Sequence, residues 1–467
     1  MSNQDTLSVR EGISEKSDSI WTHNVRRFRK HTLGKIGLTI LLLLYLSALF
    51  ADFLSPYTMR WGDNRKPYHS PSTINLFYNG PNGREFRPFA YEYRIANVAL
   101  RTYDVVPEHT VRAISFENRV NVNEMRVVAI EPTDSARRTT IMNGVVRHYR
   151  FATDSEDFFK VQEALARLEA DPNPDARIML ELSPSVSSSG VENPRSMVLA
   201  KGNKNFLSFF NQGVRYQFMG WRWATTNIHF FGSRTGGYFP LGTDSTGRDL
   251  ASRLLHGARV SLTVGLVGAA ITMIIGLLIG GIAGYFGGFI DNLLMRFSEV
   301  LISIPSLYLL FALRSALPVD LDSGRVYIII ILILSMIGWT GVARVIRGQV
   351  LSIKNEDFVL SARTMGLGHL KIIVRHILPS TLSYAIINTT LLIPGYILGE
   401  SALSLLGLGI TEPQSSWGLM LAVGRNFRVV NDFPFVLVPG FFIFLAILAW
   451  NFFGDGIRDA FDPKSKH

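Results

Sequence analysis

Ionisable side chains inside apolar runs are the first candidates for chemistry in this chain. Glu400 lies in GESALSLLGLG, and Arg296 and Glu299 stand three residues apart in another apolar stretch. A charge at membrane depth is expensive and marks either a pathway or a paired structural contact. The i,i+3 spacing puts Arg296 and Glu299 on one helix face, so a salt bridge to Arg296 or Arg344 competes with a pathway role for Glu299. Glu400 can face a pathway or cap a broken helix. Catalytic chemistry finds less to use. There is no cysteine, which excludes a disulfide framework, a zinc–thiolate site and a cysteine nucleophile. The 10 histidines are scattered, without HExxH or paired ligand spacing. No Gly-x-x-x-x-Gly-Lys-Ser/Thr stretch or nucleophile elbow occurs, and Gly366-Leu367-Gly368 lacks the third glycine and the preceding strand of a dinucleotide site. No enzyme activity, cofactor or metal is expected on this chain.

A different kind of site is written between Asn355 and Pro379, in NEDFVLSARTMGLGHLKIIVRHILP. It is polar and basic and lies between two apolar runs. Asn355 is a good N-cap, and Glu356 and Asp357 suit the positive end of a helix dipole. Arg363 falls near the other end, and Gly366 can adopt the left-handed conformation that closes a helix. Ser361, Ala362 and Gly366 are small, so another protein surface can approach the backbone. An ordinary amphipathic loop helix would have much the same composition. Pro379 begins the return into the next apolar run.

Long apolar blocks must position these residues. The chain has 467 residues, 47% of them hydrophobic, and a mean hydropathy of +0.20. With 47 basic against 37 acidic residues the net charge is +10. Much of the basic charge flanks apolar runs, which the positive-inside rule explains better than nucleic-acid binding does. Six spans are read at 33–54, 260–285, 293–313, 326–345, 382–408 and 435–453. The first follows Arg26, Arg27, Arg29, Lys30 and His31 and has no cleavage pattern after it, so it reads as a retained span rather than a signal peptide. Residues 1–32 then form a cytoplasmic tail, disordered to about residue 20, with Trp21–Arg29 along the inner face. Residues 460–467 form a second cytoplasmic tail. Arg344, Arg347 and Lys354 place the loop 346–380 in the cytoplasm as well. Gly276, Gly280, Gly284 and Gly288 recur every fourth residue and permit close helix packing, inside this subunit or against a partner. Pro305 is expected to kink the third span, Arg314 to snorkel outward, and Pro394-Gly395 to interrupt the fifth.

Residues 57–240 carry dense charge and no span-length apolar run, and read as one inserted α+β extracytoplasmic domain. Strands are expected at Glu124–Ile130, Val145–Phe151 and Arg177–Leu182. A helix is expected over Ser155–Glu169, with Thr153 and Glu156 at capping-box spacing and Phe158, Val161, Leu165 and Leu168 on one face. Ser185–Arg195 reads as a loop. The aromatic stretch Trp221–Phe239 suits the outer membrane interface better than a nucleic-acid platform. Thr243 and Asp244 favour a turn, and Asp249 can cap a helix lying on the outer surface.

Several of these stretches carry a resemblance. Leu360-Ser361-Ala362, then Gly366, then Leu378-Pro379 have the spacing of the cytoplasmic coupling loop of bacterial ABC-importer permeases, whose signature begins Glu-Ala-Ala. Leu360 stands where that signature has Glu. WTHNVRRFRKHTLGKIGLTILLLLYLSALFADFLSPY, the Gly242–Asp249 turn GTDSTGRD, GESALSLLGLG with Trp417-Gly418, and the GDGIRDAFDP ending resemble the dipeptide/oligopeptide/nickel branch, C-subunit type. Leu405 replaces a usual Phe. The resemblance covers about 33–56 and 240–463 and omits the insert. It implies an all-α polytopic membrane protein of about six transmembrane helices, in the type I importer permease fold, with residues 241–459 as its core. It also implies a bacterial inner-membrane location, with both termini cytoplasmic and the insert extracytoplasmic. The implied partners are a homologous second permease, two ATP-binding subunits that hold the ATP and Mg²⁺, an extracytoplasmic substrate-binding protein and the lipid bilayer. Asp357, Leu360, Ser361, Ala362, Arg363, Gly366 and Pro379 would couple to the ATPases during alternating access. Peptides lead as substrate, with nickel complexes or oligosaccharides as alternatives. A membrane-anchored sensor and a secondary transporter are the rivals from other classes. The insert either docks the binding protein or is padding that stabilises the partner permease.

Overall fold

A computed structural model describes residues 20–461 apart from 60, 64–65, 81–82, 98–99, 106–110, 120–121, 131–155, 172–175, 187–191, 222, 234–236, 317 and 319–320. The expected disordered start, the Val145–Phe151 strand and the Thr153 cap lie outside the described residues. The helices are α1 Ile20–Lys30, α2 Thr32–Leu49, α3 Ala51–Leu54, α4 Glu156–Ala170, α5 Leu250–Phe286, α6 Gly288–Ser303 and α7 Ser306–Ser315. They continue as α8 Ser323–Ile353, α9 Asp357–Thr364, α10 His369–Ile372, α11 Leu378–Leu405, α12 Trp417–Leu421, α13 Phe427–Asp432 and α14 Val438–Phe461. The strands are β1 Asn75–Gly80, β2 Gly83–Tyr91, β3 Tyr93–Asn97, β4 Thr102–Val105, β5 Val111–Arg119, β6 Val122–Ile130, β7 Arg177–Val186, β8 Glu192–Lys201, β9 Lys204–Gln217 and β10 Thr225–Ser233.

Two compact units result. One comprises Met1–Tyr45, Ser261–Leu403 and Phe441–His467, and the other Leu46–Val260 and Ser404–Gly440. Among the described residues five helical stretches are long and apolar enough to cross a membrane: α2, α5, α8, His369–Leu405 and Pro434–Phe461. The α6–α7 pair makes a sixth if it counts as one span, but the two halves are bent by 91°. Ile304 is extended before Pro305, as the proline ring demands of its predecessor, and the helix breaks there. The third span expected over 293–313 is therefore two helices rather than one kinked rod. By contrast α11 runs through Pro394 without a break, and α5 is one 37-residue helix that absorbs the separate surface helix expected before the second span. Arg314 is buried rather than snorkelling outward.

In the helical unit, small residues bring helix backbones together. A Cβ on Gly34 would lie 3.0 Å from the Gly456 Cα, and one on Gly37 would lie 2.6 Å from the Ala449 carbonyl oxygen. The start of α2 thus packs closely on α14, with Phe28 edge-on to Phe453 at 5.8 Å.

The other unit holds three antiparallel sheets, ordered β1-β2-β9-β10, β3-β4 and β6-β5-β8-β7 among the described residues. The α4 helix lies on the last of these. Val161, Leu165 and Leu168, spaced for one helix face, are buried with Ala176, Leu182 and Leu199. Asp157 Oδ1 accepts from the Ser183 amide at 2.8 Å and hydroxyl at 3.0 Å, which pins the start of the helix to β7. The insert is α+β, as its pattern implied. The loop expected over Ser185–Arg195 is shorter: β7 continues to Val186 and β8 starts at Glu192, and Ser185 opposes Asn193 across the ladder.

Buried polar groups organise the rest of this unit. Lys66 pairs with Glu92, which also accepts from Asn205 Nδ2 at 2.6 Å. In the Gly242–Asp249 turn, Asp244 accepts from the Thr246 and Arg248 amides at 2.8 and 3.0 Å. Its carboxylate is also paired with Arg248 and Arg253. Burial opposes ionisation of Asp244, but the two guanidinium groups and these hydrogen bonds outweigh it and hold the carboxyl below its usual range. Asp249 Oδ2 accepts from the Ser252 amide at 2.7 Å and so caps α5.

Candidate coupling site and its surroundings

The Asn355–Pro379 stretch folds as three short helical pieces. The N-cap of α9 is Glu356, in an extended conformation and without a side-chain cap bond, so the capping role read for Asn355 falls one residue later. Gly366 has φ +76° and closes the helix, as its type suggested. After α10, residues Ile373–Ile377 form a π turn that leads into α11. Pro379 is the second residue of α11, next to that widened turn, where its missing N–H is tolerated.

Val359 and Ala362, three residues apart, are fully buried, and belong to one cluster with Ile346, Val350, Ile372 and Ile373. Ala362 is therefore not the open small-residue surface that its type suggested; its smallness serves packing within the chain. The face left open carries Leu360 (43% exposed), Met365 (71%), Phe358, Ser361 and Gly366, with Asp357 and Arg363 also exposed.

Tyr285, at the end of α5, joins the pieces. Arg363 Nε donates to its hydroxyl at 3.2 Å, and the guanidinium lies 4.7 Å from its ring centroid. The same hydroxyl is 3.0 Å from His369 Nδ1 on α10. Lys354 Nζ donates to the Gly284 carbonyl at 3.2 Å. Both α9 and α10 are thus fastened to the last turn of α5. Sequence reasoning missed Tyr285; the available signal was an aromatic residue in the last turn of an apolar run.

The glycine stripe has three members rather than four. A Cβ on Gly276 would lie 2.6 Å from the Val342 Cβ. One on Gly280 would lie 3.0 Å from both the Ala343 Cα and the Ile346 Cβ, and one on Gly284 would lie 2.8 Å from the Val350 Cβ. All three face α8 of the same chain. Gly288 lies beyond the helix break at Gly287 (φ +65°), and a Cβ there would meet nothing within 4 Å.

Arg296 pairs with Glu299 at 3.0 Å, and both side chains are exposed. Glu400 is fully buried and accepts from the Ser261 hydroxyl at 3.0 Å. It stands inside the unbroken α11, so it caps no helix end. Asp291, which the sequence reading passed over, is buried and forms a two-pronged pair with Arg347 at 2.5 and 2.6 Å, joining α6 to α8.

Comparison with known proteins decides the class. The oligopeptide transport system permease protein OppC of Haemophilus influenzae is 45% identical over 231 residues, which is 49% of this chain and 72% of that one. The chain belongs to the family of binding-protein-dependent transport system inner membrane components. That family's profile matches residues 276–467, and the profile for the N-terminal transmembrane domain of oligopeptide transport permease C matches residues 19–71. The dipeptide transport system permease protein DppC of Bacillus subtilis is 43% identical over 48% of this chain and 68% of its own. OppC of Escherichia coli K12 is 40% identical over 50% and 74%. This chain is thus an ABC-importer permease of the C-subunit type, a multi-pass membrane protein in a family of non-catalytic subunits. Its relatives are shorter than it is, and the two family profiles leave β1–β10 and α4 outside their ranges.

Proposed function

We propose that this permease imports peptides by alternating access, driven by two ATP-binding subunits that hold ATP and Mg²⁺ and press on the open face of α9. A homologous second permease would complete the pathway, and an extracytoplasmic binding protein would deliver substrate. The peptide assignment follows the names of the OppC and DppC relatives. The observation that carries the reading is the two-sidedness of α9. One face presents Leu360, Ser361 and Met365, while Val359, Ala362 and Arg363 tie the other to Tyr285 at the end of α5. A push on such an element passes to a rigid 37-residue helix instead of dissipating in a loop. Leu360 in place of the signature Glu makes the contact apolar here, together with Phe358 and Met365.

Topology supports the same reading. If α6 and α7 together make one crossing, the chain crosses six times. The termini and the α9 segment then share the cytoplasmic side, and the strand-rich insert lies opposite, between the first and second crossings. The basic residues before α2 agree with that sidedness. In this scheme residues 57–240 are an extracytoplasmic domain and 346–380 the cytoplasmic coupling loop.

The test is peptide uptake by the complete transporter in lipid vesicles supplied with ATP and no ion gradient. Ser361→Arg is expected to leave the complex assembled and hydrolysing ATP while abolishing most uptake. Ala362→Glu is less informative, because a charge at this buried position would disturb folding first. Wild-type uptake by both Ser361→Arg and Leu360→Asp would sink the coupling assignment.

A further inference from the structure

We propose that the β9–β10 hairpin and the end of the first span form a membrane-seated tab, whose aromatic face enters the headgroup–acyl boundary of the leaflet at the α3 end of α2. The inference adds a lipid-binding surface to a part of the chain that the transport reading leaves unassigned.

The face begins in the span itself. Leu46, Leu49 and Phe50, at the end of α2 and just after it, are 40–48% exposed. Phe50 then meets Phe218 at 5.8 Å, and Phe53 of α3 meets Phe210 at 6.3 Å and Phe230 at 5.8 Å. Apolar surface that must face lipid therefore continues without interruption onto the hairpin. Two features of the hairpin are hard to explain by folding alone. Neighbouring strand residues normally point to opposite faces, yet Phe209 and Phe210 are both about two-thirds exposed. Phe210 has φ +53°, in the region that bulky residues avoid, and its ring contacts Phe53 and Phe230. Near the turn, Trp221 and Trp223 stack at 5.2 Å with 48% and 81% of their surfaces open. An apolar patch of this kind is a liability in water, whereas Trp and other aromatic side chains gather at membrane interfaces.

A polar rim fixes the tab to the span. Asp52 of α3 pairs with His256 at 3.0 Å and Arg259 at 2.8 Å, and accepts from the Met219 amide of the hairpin turn at 3.1 Å. Such a polar cluster suits the headgroup level above an apolar face.

The chain's lack of cysteine permits clean single labels. The experiment places a nitroxide at Phe209→Cys, at Trp223→Cys and, as a water-exposed reference, at Gln162→Cys on α4. The full permease sits in vesicles of phosphatidylethanolamine and phosphatidylglycerol, with its partner subunits. Collisional relaxation is read with oxygen, which concentrates in lipid, and with a water-soluble nickel chelate. The expected result is an oxygen-to-nickel ratio severalfold higher at 209 and 223 than at 162. Ratios equal to the reference would overturn the proposal. Exclusion of both reagents would also overturn it, because the face would then be covered by protein.

Discussion

The seam between α5 and α8 and the buried Asp244 cluster are both closely packed, yet they are held by opposite means. The seam joins Gly276, Gly280 and Gly284 to Val342, Ala343 and Val350 by close approach of small and apolar groups. The Asp244 cluster joins a carboxylate to Arg248 and Arg253, and Glu412 completes it from the other side, 2.9 and 2.8 Å from the same two guanidinium groups. In lipid, apolar side chains gain little by leaving the solvent, so helices adhere through close backbone approach. In the strand-bearing unit, water supplies a hydrophobic drive, and a buried charge is tolerable where its partners are fixed. One chain thus uses two rules, and substitutions should separate them.

The largest effect is expected at Gly280. Its Cβ position is blocked by the Ala343 backbone as well as by Ile346. Gly280→Leu would force α5 and α8 apart, at a cost of roughly 3 kcal/mol or more. The measurement is recovery of monodisperse protein in detergent, expected to collapse. Gly395, whose Cβ would meet nothing within 4 Å, is the control: Gly395→Ala should be neutral or slightly stabilising, by up to about 1 kcal/mol. Equal tolerance at both positions would break the account of the seam.

A smaller loss is expected from Arg253→Met. It leaves the buried Asp244 carboxylate with Arg248 alone, a change worth about 3 kcal/mol in comparable buried pairs. Thermal unfolding should register it, and Asp244→Asn in the same chain should restore part of the loss. If the double variant melted no higher than the single one, charge pairing would not be what holds this turn.

Much of the fold was legible because lipid imposes simple arithmetic. A run of some twenty apolar residues with basic flanks marks a span, and five of the expected spans match long helices. The helix over 156–170 was legible for the complementary reason, an apolar stripe at helical spacing. The Gly242–Asp249 motif gave both its turn and its helix cap. What failed depends on neighbours distant in sequence. Nothing local says that Ala362 turns inward, because that follows from Ile372 and Ile373 folding back beside α9. Gly288 kept the four-residue period but lies past the helix break at Gly287, which the period does not see. Tyr285 and Asp291 went unnoticed, since each matters through partners more than 50 residues away, Arg363 and His369 for the tyrosine and Arg347 for the aspartate. The sharp break at Pro305 was underestimated because a proline in an apolar run permits a gentle kink as readily as a 91° bend.

The smallest effect sharpens the comparison most, because it tests a buried carboxylate that pairs with no arginine among the described residues. Asp249 is almost fully buried, and burial raises its carboxyl to about 7 from an ordinary 3.8, against the pull of its hydrogen bonds from Ser252. The folded protein therefore holds this proton more tightly than the unfolded chain does. The resulting stabilisation is complete below the ordinary value and is lost as pH rises through about 7. His69 works in the opposite direction: burial among aromatic rings and the nearby Lys66 lower it to about 4, so acidification below its ordinary 6.5 penalises the fold. The two trends overlap, and the wild-type melting curve alone cannot resolve them. Asp249→Asn isolates one of them, since asparagine still offers an oxygen to the Ser252 amide and caps α5. The variant should match the wild type near pH 4 and exceed it above pH 7, by roughly 1–3 kcal/mol. A constant offset across that range would mean that Asp249 is ionised in the fold throughout, and that the Asp244 cluster owes its arginines to something other than the cost of burying charge.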